Sequence, residues 1–172
     1  MTKIIFISGV PCSGKSTFAK QLAISNQIDK VIDLDIFKST IKLFKTSLDD
    51  PYLYTTSHEA CYLENLDIIN GFKNYCHCVQ NYLLKLLDTL TNEKVIIVEG
   101  AQLTPEILKR LDKRKFSFEY ITLIASKNTL INRINKKLKI RKGNWLDNFE
   151  NIITIQEYLI KVSKKYIIKQ ND

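Results

Sequence analysis

Glycine and proline are scarce in this chain: its 172 residues include five glycines and three prolines, with one tryptophan, one methionine and two histidines. No internal repeat, Pro/Gly-rich linker or low-complexity tail interrupts it. No run of roughly 18 apolar residues occurs, so no membrane-spanning helix is expected. The first residues pass almost directly into an apolar, strand-like segment and lack the parts of a secretory signal. A cytoplasmic protein is the expectation, with residues 1–172 forming one domain.

Arginine is scarce as well. Twenty-two lysines face only four arginines, and the net charge is +8. Such a balance suits an anionic partner, whether nucleic acid, metabolite or acidic membrane surface. The lysines are spread along the whole chain, so general lysine usage explains the excess equally well. Charge alone chooses no partner.

Four cysteines in a reducing compartment are expected to be free thiols. Cys76-His77-Cys78, with His58 and Cys61 upstream, matches no standard zinc spacing. Cys61, Cys76 and Cys78 lie in apolar-rich segments, where a free cysteine packs as a small hydrophobe. Cys12 differs, because it lies inside a loop just before a helix start.

Two of the five glycines fall in one octet, Gly9-Val10-Pro11-Cys12-Ser13-Gly14-Lys15-Ser16. It fits the phosphate-binding loop pattern G-x-x-x-x-G-K-[ST], and Thr17 follows. The octet comes after the apolar run Ile4-Ile5-Phe6-Ile7 and opens a helical pattern, the context the motif requires. Its backbone amides point at phosphate oxygens, and the helix N-terminus adds positive potential. Lys15 is expected on the β- and γ-phosphates and Ser16 on Mg²⁺.

The remaining pattern alternates strand and helix. Strands are expected at 3–8, 30–34, 95–98, 117–124 and 166–168. Helices are expected at 15–26, 36–46, 57–91 with a break near Gly71, 105–113, 127–138 and 148–163. The last of these would open on a capping box made by Asp147 and Glu150. Alternation of this kind predicts an α/β fold with a parallel sheet covered on both faces, whose ligands sit at the carboxyl ends of the strands.

Two carboxylates fall at such ends: Asp35 after the second strand and Glu99 after the third. Phosphoryl transfer needs a group to orient or deprotonate the acceptor hydroxyl and another to hold Mg²⁺ and water. Asp35 is assigned the first role and Glu99 the second, although the two could be exchanged. Asp35 would serve equally as the N-cap of a helix starting at 36, and Glu99 as a solvated strand end. Lys38, one turn on, is placed at an anionic group of the acceptor or on a solvated face. His58 and Glu59 either line the acceptor pocket or follow a helix cap built from Ser57. A basic lid is expected around 133–145, where Arg133 is the first choice for the moving phosphoryl group, followed by Arg141 with Lys136 and Lys137.

Several segments together resemble the P-loop small-molecule kinases, and most of all the 2-phosphoglycerate kinase family. They are residues 9–17, Ile32-Asp33-Leu34-Asp35-Ile36-Phe37-Lys38, Ser57-His58-Glu59-Ala60, residues 95–105, and Trp145 to Leu159. The resemblance implies a P-loop nucleoside-triphosphate hydrolase fold of nucleotide-kinase type with a five-stranded sheet. It also implies ATP and Mg²⁺ as cofactors, an acceptor-side Asp35 and 2-phosphoglycerate as acceptor. Lys38 stands where that family more often has arginine, and the two differ in bidentate phosphate binding. A polynucleotide 5′-kinase shares the loop and the Asp35-x-x-Lys38 spacing and is the second expectation. A non-catalytic ATP-dependent switch or RNA-binding regulator is the third. No Asp-x-x-Gly or Asn-Lys-x-Asp occurs, which disfavours a GTPase.

Overall fold

The computed structural model describes residues 1–172. Five strands, β1 (Thr2–Ser8), β2 (Lys30–Asp33), β3 (Val95–Glu99), β4 (Phe116–Ile124) and β5 (Ile167–Gln170), form one sheet in the order β2-β3-β1-β4-β5. Every neighbouring pair is parallel. The helices are α1 (Lys15–Ser25), α2 (Leu34–Ile41), α3 (Ile68–Thr89), α4 (Lys127–Leu138) and α5 (Phe149–Val162).

The continuous apolar run of β1 is what a strand buried on both faces requires. Its side chains alternate between two cores. Ile4 and Phe6 pack with Leu83 and Leu87 of α3, whereas Ile5 and Ile7 pack with Ala19 and Ala23 of α1. A third cluster, including Val10, Phe72, Tyr75, Trp145 and Ile152, fills the space beneath the carboxyl end of the sheet. The chain leaves β1 toward β2 and β3 on one side and later reaches β4 on the other. The loop after β1 therefore occupies the point where the winding reverses, which is where α/β sheets bind ligands.

Several boundaries differ from expectation, each for a local reason. The helix expected at 36–46 is Leu34–Ile41, because Asp33 is its cap: Oδ1 accepts the amides of Asp35 and Ile36 at 2.8 and 3.2 Å. The long helix expected from 57 begins only at Ile68, where Asp67 accepts the amides of Ile69 and Asn70. Residues before it form turns and a short 3₁₀ segment, Ala60–Tyr62, so no helix starts from Ser57. Gly71 does not break α3. A Cβ there would lie 2.4 Å from the Cys61 backbone, so glycine lets the 3₁₀ segment lie against the helix.

The helix expected at 105–113 is a 3₁₀ turn, Pro105–Lys109, whose apolar Ile107 and Leu108 are buried without a full helix. The Asp147 and Glu150 capping box does not form; Asn148 takes the cap position of α5 and makes no side-chain capping bond.

Candidate active site

The octet forms the turn between β1 and α1. Gly9 and Gly14 adopt φ of 146° and 95°, where a side chain is strained, and Cys12 is left-handed at 64°. Gly14 in the cap position supplies no side-chain acceptor, so the first amides of α1 have no capping partner. They remain open to an anion. The Ser13 hydroxyl is buried and has no hydrogen-bond partner. Lys15 is buried, and Nζ donates to the Val10 carbonyl at 2.8 Å, curling the ammonium over its own loop. Burial lowers its pKa, opposed by the carboxylates of Glu99 and Asp35. Ser16 and Thr17 lie exposed on the first turn of α1, with Pro11 and Cys12 half-buried before them.

Glu99 ends β3 between Ile7 of β1 and Asp33 of β2 in the sheet register, 4% exposed. Burial raises its carboxyl pKa; the Ser16 hydroxyl and the Lys15 ammonium pull it back. Sequence spacing placed Lys15, Ser16 and Glu99 together, and the fold brings them together. Asp35 sits exposed on the first turn of α2, freed from capping by Asp33, with Oδ1 accepting from Gln102 Nε2 at 2.8 Å.

Lys38 is buried, not on a solvated face. Its Nζ donates to the Thr55 carbonyl at 2.9 Å and the Tyr75 hydroxyl at 3.1 Å, which leaves one of its three donors for another group. Burial lowers its pKa to about 8, with Asp35 opposing the shift and Lys42 adding to it. His58 is buried too, and burial lowers its pKa, so the ring is neutral near pH 7. Its Nε2 meets Asn144 Oδ1 at 3.3 Å, and its Nδ1 has no partner. Glu59 accepts from Thr56 Oγ1 at 2.6 Å and from Asn144 Nδ2.

Among the basic residues expected in the lid, Arg133 comes nearest the loop. Its Nη1 donates to the Cys12 and Ser13 carbonyls at 3.4 and 3.3 Å. Lys137 lies over the Trp145 ring, 4.7 Å from its centroid, and its charge adds to the lowering at Lys15. Arg141 and Lys136 are exposed, and their side chains make no hydrogen bond or ion pair. Arg110 and Arg114 bond Asn81 and Asp112 instead, on residues that belong to no part of this site.

Four participants escaped the sequence reading. Gln102, Tyr75 and Asn144 contact the site from distant segments, and Asn171 Nδ2 donates to the Ser13 carbonyl at 2.6 Å. The spacing of Asp35 and Lys38 gave no sign of them. The only signal available was an amide in the segment directly after Glu99.

Comparison with known proteins identifies the family and the fold. The family AAA_18, described as an AAA domain, matches residues 5–154. The chain belongs to that family. It is 27% identical over 176 residues to a 2-phosphoglycerate kinase of Pyrococcus furiosus, an alignment covering 95% of this chain and 56% of that protein. The chain thus spans about half the length of the curated relatives it matches. Shikimate kinase from Bacteroides thetaiotaomicron superposes with a TM-score of 0.57 at 19% identity, over 98% of this chain and 86% of that one. A chain of the Pnkp1/Rnl/Hen1 RNA repair complex superposes at 0.54 and 17% identity, over 93% and 45%. The fold is that of the P-loop kinases, as the motifs implied.

Proposed function

We propose that this chain is an ATP- and Mg²⁺-dependent kinase that transfers the γ-phosphoryl group to a hydroxyl of a small phosphorylated or anionic metabolite, of the 2-phosphoglycerate kind. The observation that carries the reading is Asp35. It is an exposed carboxylate at the carboxyl end of the sheet, held at one oxygen and close enough to Lys15 to act on its ammonium. A switch that only binds nucleotide has no use for a second, acceptor-side carboxylate.

The residues fit both cofactors. The uncapped α1 amides and the unpartnered Ser13 hydroxyl suit phosphate oxygens, and Ser16 beside Glu99 suits a hard cation. Bound Mg²⁺ neutralises charge on the β- and γ-phosphates. Lys15 would hold those oxygens, and Glu99 together with Ser16 would hold the cation. Asp35 orients the acceptor hydroxyl and takes its proton. Arg133, already at the loop carbonyls, and Lys137 bring positive charge to the moving group from a lid over 133–145, with Arg141 as a further cation when the lid closes. Lys38 offers its remaining N–H to the anionic group of the acceptor, and neutral His58 lines the same pocket.

The test supplies γ-labelled ATP and Mg²⁺ with 2-phosphoglycerate or a 5′-hydroxyl oligonucleotide, using Lys15→Ala as the control. Label on 2-phosphoglycerate is the expected result. Label on the oligonucleotide alone would establish the second reading, a polynucleotide 5′-kinase, which the +8 charge and the likeness to the RNA repair complex favour. Tight ATP binding with label on no hydroxyl acceptor would replace both with a nucleotide-dependent switch.

A further inference from the structure

Gln102 belongs to neither the phosphate loop, the strand-end carboxylates nor the lid. Its side chain is nevertheless fully buried and commits its amide nitrogen twice within the site. Nε2 donates to Asp35 Oδ1 at 2.8 Å and to the Tyr75 hydroxyl at 2.8 Å. An ionised carboxylate only accepts, so the amide nitrogen and not its oxygen must face Asp35. Tyr75 reinforces this orientation. Its hydroxyl also accepts from Lys38 Nζ, so its two lone pairs are met by two donors.

Gln102 is itself anchored. Its backbone carbonyl accepts from Gln80 Nε2 at 2.9 Å, and Gln80 is a buried residue of α3. A connected path therefore runs from the longest helix through Gln102 to Asp35. Without it, Asp35 is an exposed side chain on the first turn of an eight-residue helix, free to change rotamer.

We propose that Gln102 is the positioning residue for Asp35. It fixes one carboxylate oxygen and leaves Oδ2 directed to the acceptor hydroxyl. This rests on the kinase reading above. A general base must lie within hydrogen-bond reach of the proton it removes, and misplacement by about 1 Å lowers rate on the order of a hundredfold.

The variant is Gln102→Leu, which keeps similar volume and removes the donor. Gln102→Asn, which keeps the amide but withdraws it, replaces it if the leucine variant does not fold. We expect kcat to fall about 10- to 100-fold with KM for ATP unchanged. In an Asp35→Asn background the same substitution should cost no further rate, because there is no base left to position. An unchanged kcat, or an equal loss in both backgrounds, would overturn the proposal. A second readout is independent of turnover. NMR couplings at Asp35 should report one χ1 rotamer in the parent protein and averaging in the variant. One rotamer in both overturns the positioning role, whereas averaging in a protein that phosphorylates no hydroxyl overturns the kinase reading and leaves the Gln102–Asp35 contact standing.

Discussion

Asp33 Oδ1 accepts the backbone amide of Asp35 at 2.8 Å. Two carboxylates two positions apart thus differ in what they do: Asp33 closes the helix start, and Asp35 is left free of capping, the carboxylate we propose for the acceptor. Asp33→Ala should lower stability by about 1 kcal/mol, the usual cost of a lost N-cap. Asp35→Asn should leave the unfolding midpoint nearly unchanged while kcat falls on the order of 10²–10⁴-fold. Urea unfolding and steady-state kinetics on both variants separate the tasks. Full activity in Asp35→Asn would sink the base assignment.

Lys15 is a buried ammonium whose hydrogen bond goes to a carbonyl of its own loop. Its desolvation is unfavourable in the free protein and becomes useful only when phosphate oxygens arrive. Lys15→Ala should therefore unfold no earlier than the parent without nucleotide. With Mg²⁺-ATP at a hundredfold excess over its Kd, the parent should gain about 2.7 kcal/mol and the variant almost nothing. Thermal melts with and without nucleotide check this, and equal nucleotide stabilisation in both would remove Lys15 from the phosphate site.

The buried position of Lys38 has a pH signature. Its folded pKa of about 8 lies below the free value of 10.5. The folded chain thus binds fewer protons than the unfolded one between those limits, so this group makes stability rise with pH across that window. Lys38→Met should flatten the rise in a series of urea titrations. Acceptor binding should move the other way: KM for an anionic acceptor increases above about pH 8 as the ammonium is lost. In Lys38→Arg that increase should vanish, because a guanidinium stays charged. A KM independent of pH in the parent would take Lys38 out of the acceptor pocket.

What could be read from the sequence was local in the chain. The octet at 9–16 carries its own geometry, and the strand runs ending near Asp35 and Glu99 show where the sheet opens. The parallel five-stranded sheet followed from alternation and resemblance together. The assignment of caps was less legible, because Asp33-Leu34-Asp35 offers two equally good N-cap residues two positions apart. Only the strand end at Asp33 decides between them. The expected helix at 105–113 failed for a related reason: its apolar spacing suits a helix, but a 3₁₀ turn buries Ile107 and Leu108 just as well. Tyr75 was beyond reach, since it meets Lys38 only through the packing of α3 against the sheet, and Gln102 showed only as an amide just after Glu99.

A polar net joins residues 56–62 to the segment where α4 passes into α5. Asn144 meets His58 and Glu59, Asn151 Nδ2 donates to the His58 carbonyl at 2.9 Å, and the Tyr62 hydroxyl donates to Asn148 Oδ1 at 3.0 Å. Asn144 immediately precedes Trp145, whose ring carries Lys137. A shift of residues 56–62 on acceptor binding would therefore be felt where α4 hands over to α5. Asn144→Ala removes the residue that bonds both His58 and Glu59 and leaves buried polar groups unpaired, a loss of about 1–3 kcal/mol. Hydrogen exchange should then quicken together in residues 56–62 and 139–151, and the acceptor KM should rise more than the ATP KM. Faster exchange confined to 139–151, with the acceptor KM unchanged, would show that the two segments move independently.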